Sequence, residues 1–403
     1  MSVNLLAGRF GTLGIAGVAT FVVAVSEYGD SSHPTLLTAE LLALLLLHTV
    51  RYLRVWIGRE VLLYAGLLAY SALSIAWTEN MHVAVNTLPS MTNFLLVLAL
   101  FGSLAAYHEV GALLIGCVTG FGLAAVLYTL TSGFPFSYPE GFSYNTIAGM
   151  YLFGLFSLAV LGAYLRWLIV PLAGGVVLLV LITATTSIKT NLGLALGVTG
   201  ATLFYFKPSA TALIRGLLVA GILATGAAYA VRSNPAVEER VRNGFARVSL
   251  GVAVLTNREG DSGTTGLGNR QGWEREGLRG WAANPVFGSG MEAFRADFGT
   301  TSHSTPIDLL YNYGLIGFTL FYGLYGSIAL RLLKARNPIF RSVRARLAAA
   351  LIAYAFISLS ATIYYEAFIA MFMALSTVLI VRLEGSTRGS GGALIPALPN
   401  RKP

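Results

Sequence analysis

Residues 305–346 read TPIDLLYNYGLIGFTLFYGLYGSIALRLLKARNPIFRSVRAR. From 305 to 330 the only charged side chain is Asp308. A helix needs roughly 20 apolar residues to cross the hydrocarbon core of a bilayer, so this run is long enough to span one. It then meets Arg331, Lys334, Arg336, Arg341, Arg344 and Arg346, with no acidic residue among them. Basic residues in a short connection beside a span mark the cytoplasmic face. The stretch therefore predicts a transmembrane helix followed by a cytoplasmic turn.

Working outward, comparable apolar runs occupy about 8–26, 33–50, 58–77, 88–106, 110–131, 144–164, 167–186, 189–206, 210–231, 347–364 and 366–382. With 305–330 they make about twelve spans, an even number, which puts both termini on one side. The predicted fold is an all-α, polytopic membrane protein. Residues 1–231 hold spans one to nine, 232–304 form one large outward loop, 305–382 hold spans ten to twelve, and 383–403 form a cytoplasmic tail. Of the 27 basic residues, 17 fall on the face shared by the termini. The long loop is close to neutral, with nine arginines and eight acids.

Composition agrees. The chain has 403 residues, of which 55% are hydrophobic and 11% charged. Soluble domains carry about 25% charged residues, so an ordinary water-soluble enzyme is excluded. The 45 scattered glycines fit neither collagen nor disorder in so apolar a chain. The single cysteine, Cys117, permits no internal disulfide, and the five histidines at 33, 48, 82, 108 and 303 show no zinc-site spacing. The formal charge of +9 is read as orientation rather than nucleic-acid binding. No Gly-rich phosphate loop or dinucleotide fingerprint occurs. No cofactor or metal is expected.

The loop carries its own pattern. Asn234-Pro235 opens an amphipathic stretch with Val237, Val241, Phe245, Val248 and Val252 on one face, suited to lying at the interface. Gly260, Gly263, Gly266, Gly268 and Gly272 then predict a flexible stretch. A short helix follows, with Trp273 and Trp281 two turns apart and able to sit at headgroup level, ended by Asn284-Pro285. Ser302-His303-Ser304-Thr305-Pro306 leads into span ten, where Thr305 can cap the helix and Asp308 resembles the acidic half of a capping box.

Several residues there have the chemistry of a site. His303, just outside a helix N-terminus whose dipole disfavours imidazolium, suits a general base; otherwise it is a loop histidine bonded to backbone. Lys189 is the lone basic residue in any short outward connection, a point charge for phosphate or a snorkelling anchor. Arg270 offers a planar fork for a diphosphate, or is one solvated arginine among nine. Arg275, Arg279 and Asp308 are further candidate substrate contacts. Asn145 can touch a sugar or cap span six. Glu259, Asp261, Glu292 and Asp297 could supply a base or metal ligands, or pair with nearby arginines. Topology puts Lys189, Arg270 and His303 on the outer side together.

On these residues the chain resembles the O-antigen ligase and polymerase superfamily of bacterial envelope glycosyltransferases. The resemblance covers the whole topology. It is most specific at Asn269-Arg270 through Trp273, at Asn284-Pro285-Val286-Phe287-Gly288-Ser289-Gly290, at Phe294, and from His303 through Leu309 and Gly314 to Gly317. Two positions depart: Ser304 stands where the family has asparagine, and Lys189, two residues after Ser187, stands where it has a Ser-Arg pair.

The resemblance implies a GT-C-like, metal-independent transferase of the bacterial inner membrane, with its site facing the periplasm. The donor would be a glycan on undecaprenyl diphosphate and the acceptor a sugar hydroxyl of lipid A–core. His303 would be the base, and Lys189 and Arg270 would hold the diphosphate. A polymerase of the same superfamily is the alternative, separated by whether product appears on lipid A or as longer lipid-linked chains. A transporter is a third reading. It fits less well, because transporters place ionisable groups near the bilayer midplane and these spans hold almost none, with Glu40 and His48 near ends.

Overall fold

The computed structural model describes residues 3–28, 34–52, 55–79, 81–132, 144–164, 187–205, 266–335 and 341–385, with short helical pieces at 174–175, 177–179 and 181–182. The helices are α1 (Val3–Tyr28), α2 (Pro34–Tyr52), α3 (Arg59–Ser74), α4 (Met81–Tyr107), α5 (Val110–Ser132), α6 (Tyr144–Tyr164) and α7 (Ile188–Tyr205). They are followed by α8 (Gly266–Ala283), α9 (Ala293–Phe298), α10 (Thr305–Lys334), α11 (Arg341–Ser358) and α12 (Ala367–Gly385). No strand occurs among the described residues. Four described helices are long and apolar enough to cross a membrane, and shorter apolar helices run at Gly11–Ser26, Pro34–Val50, Thr146–Gly162 and Ala367–Arg382. The expected span 210–231 and the amphipathic stretch 234–252 lie outside the described residues, as does most of 167–186.

The expected runs and these helices agree within a few residues for α2, α5, α6, α7 and α12. α1 and α4 begin earlier than their expected runs, at Val3 and Met81, and α11 is displaced as a whole. Read as 347–364, it begins at Arg341 and ends at Ser358. Arginine stems can lie along apolar surface while the head finds a polar partner, and Arg346 reaches back to donate to the Ala159 carbonyl at 2.5 Å. The helix therefore absorbs part of the basic turn. It releases residues 359–366 as a non-helical connection to α12.

α4 and α12 form the centre. Phe94, Leu98 and Phe101 of α4 and Ile369, Phe372 and Leu375 of α12 are wholly buried. The outer helices are apolar on their exposed sides too, as at Leu62, Leu73, Leu130 and Leu333. Continuous apolar surface of that kind needs a lipid-like solvent. Small residues set the helix spacing. A Cβ on Gly120 of α5 would lie 2.1 Å from the Gly17 carbonyl oxygen of α1, and one on Gly197 of α7 would lie 2.2 Å from the Ala349 oxygen of α11. Glycine at such points lets backbones approach where side-chain burial alone gives little drive for helix association in lipid.

Polar contacts gather at two opposite ends of the bundle. At one end Arg331 pairs with Glu60 at 3.2 Å, and Ser327 donates to the same carboxylate oxygen. His48 and His108 rings meet there at 3.1 Å between Nε2 atoms, and Arg382 caps the Ala106 and His108 carbonyls. Glu60, which the sequence reading passed over as part of an apolar run, is fully buried. A buried carboxylate needs such a partner. At the other end Thr78 donates to the Met291 carbonyl, Tyr70 to Phe287, and Lys189 to Ser360.

α10 is broken at Gly314, whose φ of 60° and ψ of −159° are not helical. The break orphans carbonyls before it and amides after it. The turn 285–290 supplies every partner named here. Ser289 N–H donates to the Tyr311 oxygen at 2.8 Å and Gly290 N–H to Asn312 at 2.9 Å. In return, Leu315 N–H donates to the Pro285 oxygen at 2.9 Å and Ile316 N–H to Val286 at 3.4 Å. Gly288, with φ 73°, packs backbone on backbone against Gly314. The spaced glycines of the Asn284–Gly290 turn and of α10 are thus two halves of one joint.

Candidate functional site

His303 sits in the left-handed region, at φ 55°. Among the described residues it shares that property, outside glycine, with Glu292 alone. Such a conformation costs about 1–3 kcal/mol and persists only when its surroundings enforce it. Three contacts enforce this one. The Ser302 hydroxyl donates to the Ser304 carbonyl at 2.8 Å and accepts Ser304 N–H at 3.2 Å. Ser302 N–H donates to Asp308 Oδ1 at 3.2 Å. The turn is pinned on both sides of the imidazole, which is itself half-buried.

Trp273 of α8 lies against the His303 ring, with centroids 5.7 Å apart and planes tilted by 40°. The indole assigned to headgroup level by sequence therefore also packs on the imidazole. α8 begins at Gly266, earlier than the glycines suggest, and takes Gly266, Gly268 and Gly272 into the helix. Packing outweighs the propensity penalty of about 1 kcal/mol per glycine. Gly277 and Gly280 bring α8 onto Ile307 and Tyr311 of α10 so closely that a Cβ would overlap those side chains.

Arg270 lies one turn before Trp273 on α8. Its side chain, like that of Asn145 at the start of α6, lies outside the described residues. Arg275 is exposed on α8. Arg279, also exposed, is paired with Glu276.

Lys189 opens α7 and donates through Nζ to the Ser360 carbonyl, in the α11–α12 connection. One residue on, the Ala361 carbonyl accepts both the amide of Thr305 at 3.2 Å and its hydroxyl at 2.6 Å. Ile363 N–H donates back to the Thr305 hydroxyl at 2.9 Å. Thr305 was expected to cap α10. Instead the cap position is Ser304, without a side-chain capping bond, and Thr305 is the latch to this connection. Lys189 and the His303 turn, 114 residues apart in sequence, are thus fastened to neighbouring residues.

No protein-family model matches the chain, and no curated protein matches it.

The carboxylates divide. Asp308 is buried, accepting Ser302 N–H on one oxygen and the Tyr364 hydroxyl (3.1 Å) and the Asn312 amide (3.4 Å) on the other. Asp297 accepts the Tyr311 hydroxyl. Glu259 and Asp261 lie outside the described residues. Among the described residues no group of three histidine, cysteine, aspartate or glutamate side chains is placed to hold a metal ion.

Glu292 is buried between the turn and α9, and its carboxyl is pushed up to about 7. Burial is the main cause, with repulsion from Asp308 next, while Arg295 and a bond to Thr87 act the other way. A carboxyl raised in the folded state adds stability that is complete below its unfolded value, near 4.5, and is lost as pH rises through 7. Unfolding in denaturant, measured between pH 4.5 and 8 in detergent, should show resistance falling with pH. Glu292→Gln should flatten that fall. An unchanged slope would remove Glu292 as its source.

Proposed function

We propose that this chain is an O-antigen ligase of the bacterial inner membrane: a twelve-span, GT-C-like transferase with both termini cytoplasmic and its site on the periplasmic face. It joins a glycan carried on undecaprenyl diphosphate to a sugar hydroxyl of lipid A–core. The observation that carries this reading is the meeting of the His303 turn and Lys189 at the Ser360–Ile363 connection, at the end of the bundle opposite Arg331, Arg346 and Arg382. The concentration of arginines at that far end supports its assignment to the cytoplasm.

The chemistry follows from the residues. A neutral His303 imidazole accepts the proton of the acceptor hydroxyl as its oxygen attacks the anomeric carbon. The bond from that carbon to the phosphate oxygen breaks, and undecaprenyl diphosphate leaves with the electron pair. Lys189 and Arg270 offset the charge that builds on the departing diphosphate. The imidazolium then returns its proton to water. No metal or cofactor enters the step. The half-buried Trp273 ring against His303 limits the orientations open to the imidazole.

Lys189 gives the first test. Its ammonium bonds a backbone carbonyl, so a structural anchor and a phosphate contact must be separated. Lys189→Arg keeps charge and donor; Lys189→Gln keeps a donor alone. In a transfer assay with purified protein, the arginine variant should stay within about tenfold of the unaltered chain. The glutamine variant should lose about 100-fold, the usual range for removing one charge-stabilising group. Equal rates for the two would assign Lys189 to anchoring only.

A further inference from the structure

We infer that Asp308 is a positioning residue: its carboxylate holds the turn that carries the His303 imidazole in place and couples it to the α11–α12 connection that Lys189 bonds. The inference rests on the reading of His303 as the base.

Its geometry is not that of an ordinary helix cap. In a capping box the acid at the third helical position accepts the amide of the cap residue. Here the cap is Ser304, and its N–H goes to the Ser302 hydroxyl instead. Asp308 stands one position further along the helix and reaches further back, over Ser304 and His303, to the Ser302 amide. The carboxylate thereby ties down the residue before His303, while the α10 N-terminus fixes the residue after it. A left-handed histidine clamped on both sides cannot relax toward an extended backbone without breaking the Ser302–Asp308 bond.

The second carboxylate oxygen faces the α11–α12 connection. It accepts the Tyr364 hydroxyl, and the Tyr364 carbonyl in turn accepts the Tyr64 hydroxyl of α3 at 2.7 Å. Asn312, whose amide also reaches that oxygen, spends its own carbonyl on Phe294 N–H at 2.8 Å, fixing the start of α9. Asp308 therefore joins α3, α9, α10 and the 360–364 connection around one buried acid. Lys189 is held by the same connection. The imbalance between His303 and Lys189 that a shift of this segment would cause is what Asp308 prevents. Misplacing a reacting group by about 1 Å can cost about 100-fold in rate.

The test is kinetic, on full-length protein in detergent or vesicles with lipid-linked glycan and lipid A–core. Asp308→Ala, assayed per folded molecule, should lower kcat about 100-fold while KM for the donor stays within about threefold. Asp308→Asn retains an oxygen for Ser302 N–H and should recover to within about tenfold. A helix-capping role alone would lower the amount of folded protein and leave kcat intact, so wild-type kcat in folded Asp308→Ala overturns the inference. Should Asp308→Ala fail to fold, Tyr364→Phe decides, because it removes a single bond to the carboxylate. A several-fold loss of kcat at unchanged KM supports the coupling, and an unchanged kcat overturns it. His303→Ala, run alongside, separates the two levels: full activity in that variant sinks the base assignment, whereas its loss with normal Asp308 variants sinks the positioning role alone.

Discussion

His303→Ala should lower the kcat of the proposed glycan transfer by about 1000-fold, within the usual range for removing a general base, while the protein remains folded. The second half of that expectation comes from where the ring sits. The imidazole is half-buried at the end of the bundle, and the bonds that order its turn run through Ser302, Ser304 and Asp308, none of which uses the imidazole. Truncation removes the ring contact with Trp273 but leaves the Ser302–Ser304 and Ser302–Asp308 bonds that order the turn, so melting should move little. Steady-state transfer and a thermal unfolding scan on the same preparation check both halves. An inactive variant that is also unfolded would say nothing specific about the base, so His303→Gln, close in size and able to hydrogen-bond but a far weaker base, should be as inactive as alanine. Activity in either folded variant contradicts the assignment.

Gly314→Ala has the largest expected effect on the fold. The residue's φ of 60° with ψ of −159° belongs to a region that essentially glycine alone occupies. An added Cβ would fall 2.3 Å from the Val286 carbonyl oxygen and 2.7 Å from the Gly288 nitrogen, backbone atoms that cannot swing aside. The joint between the 285–290 turn and the broken α10 would open, leaving the carbonyls and amides that it satisfies without partners. The expected outcome is destabilisation of at least ~3 kcal/mol, seen as loss of folded protein or a large fall in melting temperature. Gly326→Ala on the same helix is the control. Nothing lies within 4 Å of its added Cβ, so it should be neutral or mildly stabilising. Equal melting temperatures for the two variants would mean that the break is not needed.

These two positions also mark how much was legible. Runs of about twenty apolar residues announce themselves, so α2, α5, α6, α7 and α12 follow from sequence alone. His303 and Lys189 could be assigned to one end by counting spans. What sequence hid was the segment between them. Leu359-Ser360-Ala361-Thr362-Ile363-Tyr364-Tyr365-Glu366 contains neither glycine nor proline and reads as the continuation of an apolar run. It leaves the helix because its backbone bonds go to Thr305 and Lys189, partners about 60 and 170 residues away in sequence. Periodicity carries no trace of such partners. The glycines of 266–272 misled in the opposite sense: Gly266, Gly268 and Gly272 lie inside a helix whose later part packs closely on α10 at Gly277 and Gly280. Gly288 and Gly314 were visible as motif positions, but the reason for them, a shared joint, required both pieces of backbone at once. Asp308 looked like a helix cap because its spacing is only one residue from that of a capping box.

The most direct test of the whole account is product analysis. Purified protein in vesicles is supplied with a glycan on undecaprenyl diphosphate and with lipid A–core, and both lipids are followed by mass spectrometry. The account predicts glycan covalently joined to lipid A–core, with one undecaprenyl diphosphate released for each glycan joined, and neither change with His303→Ala. Lengthened lipid-linked glycan with lipid A–core untouched, or donor moved across the vesicle membrane with its diphosphate bond intact, would contradict it.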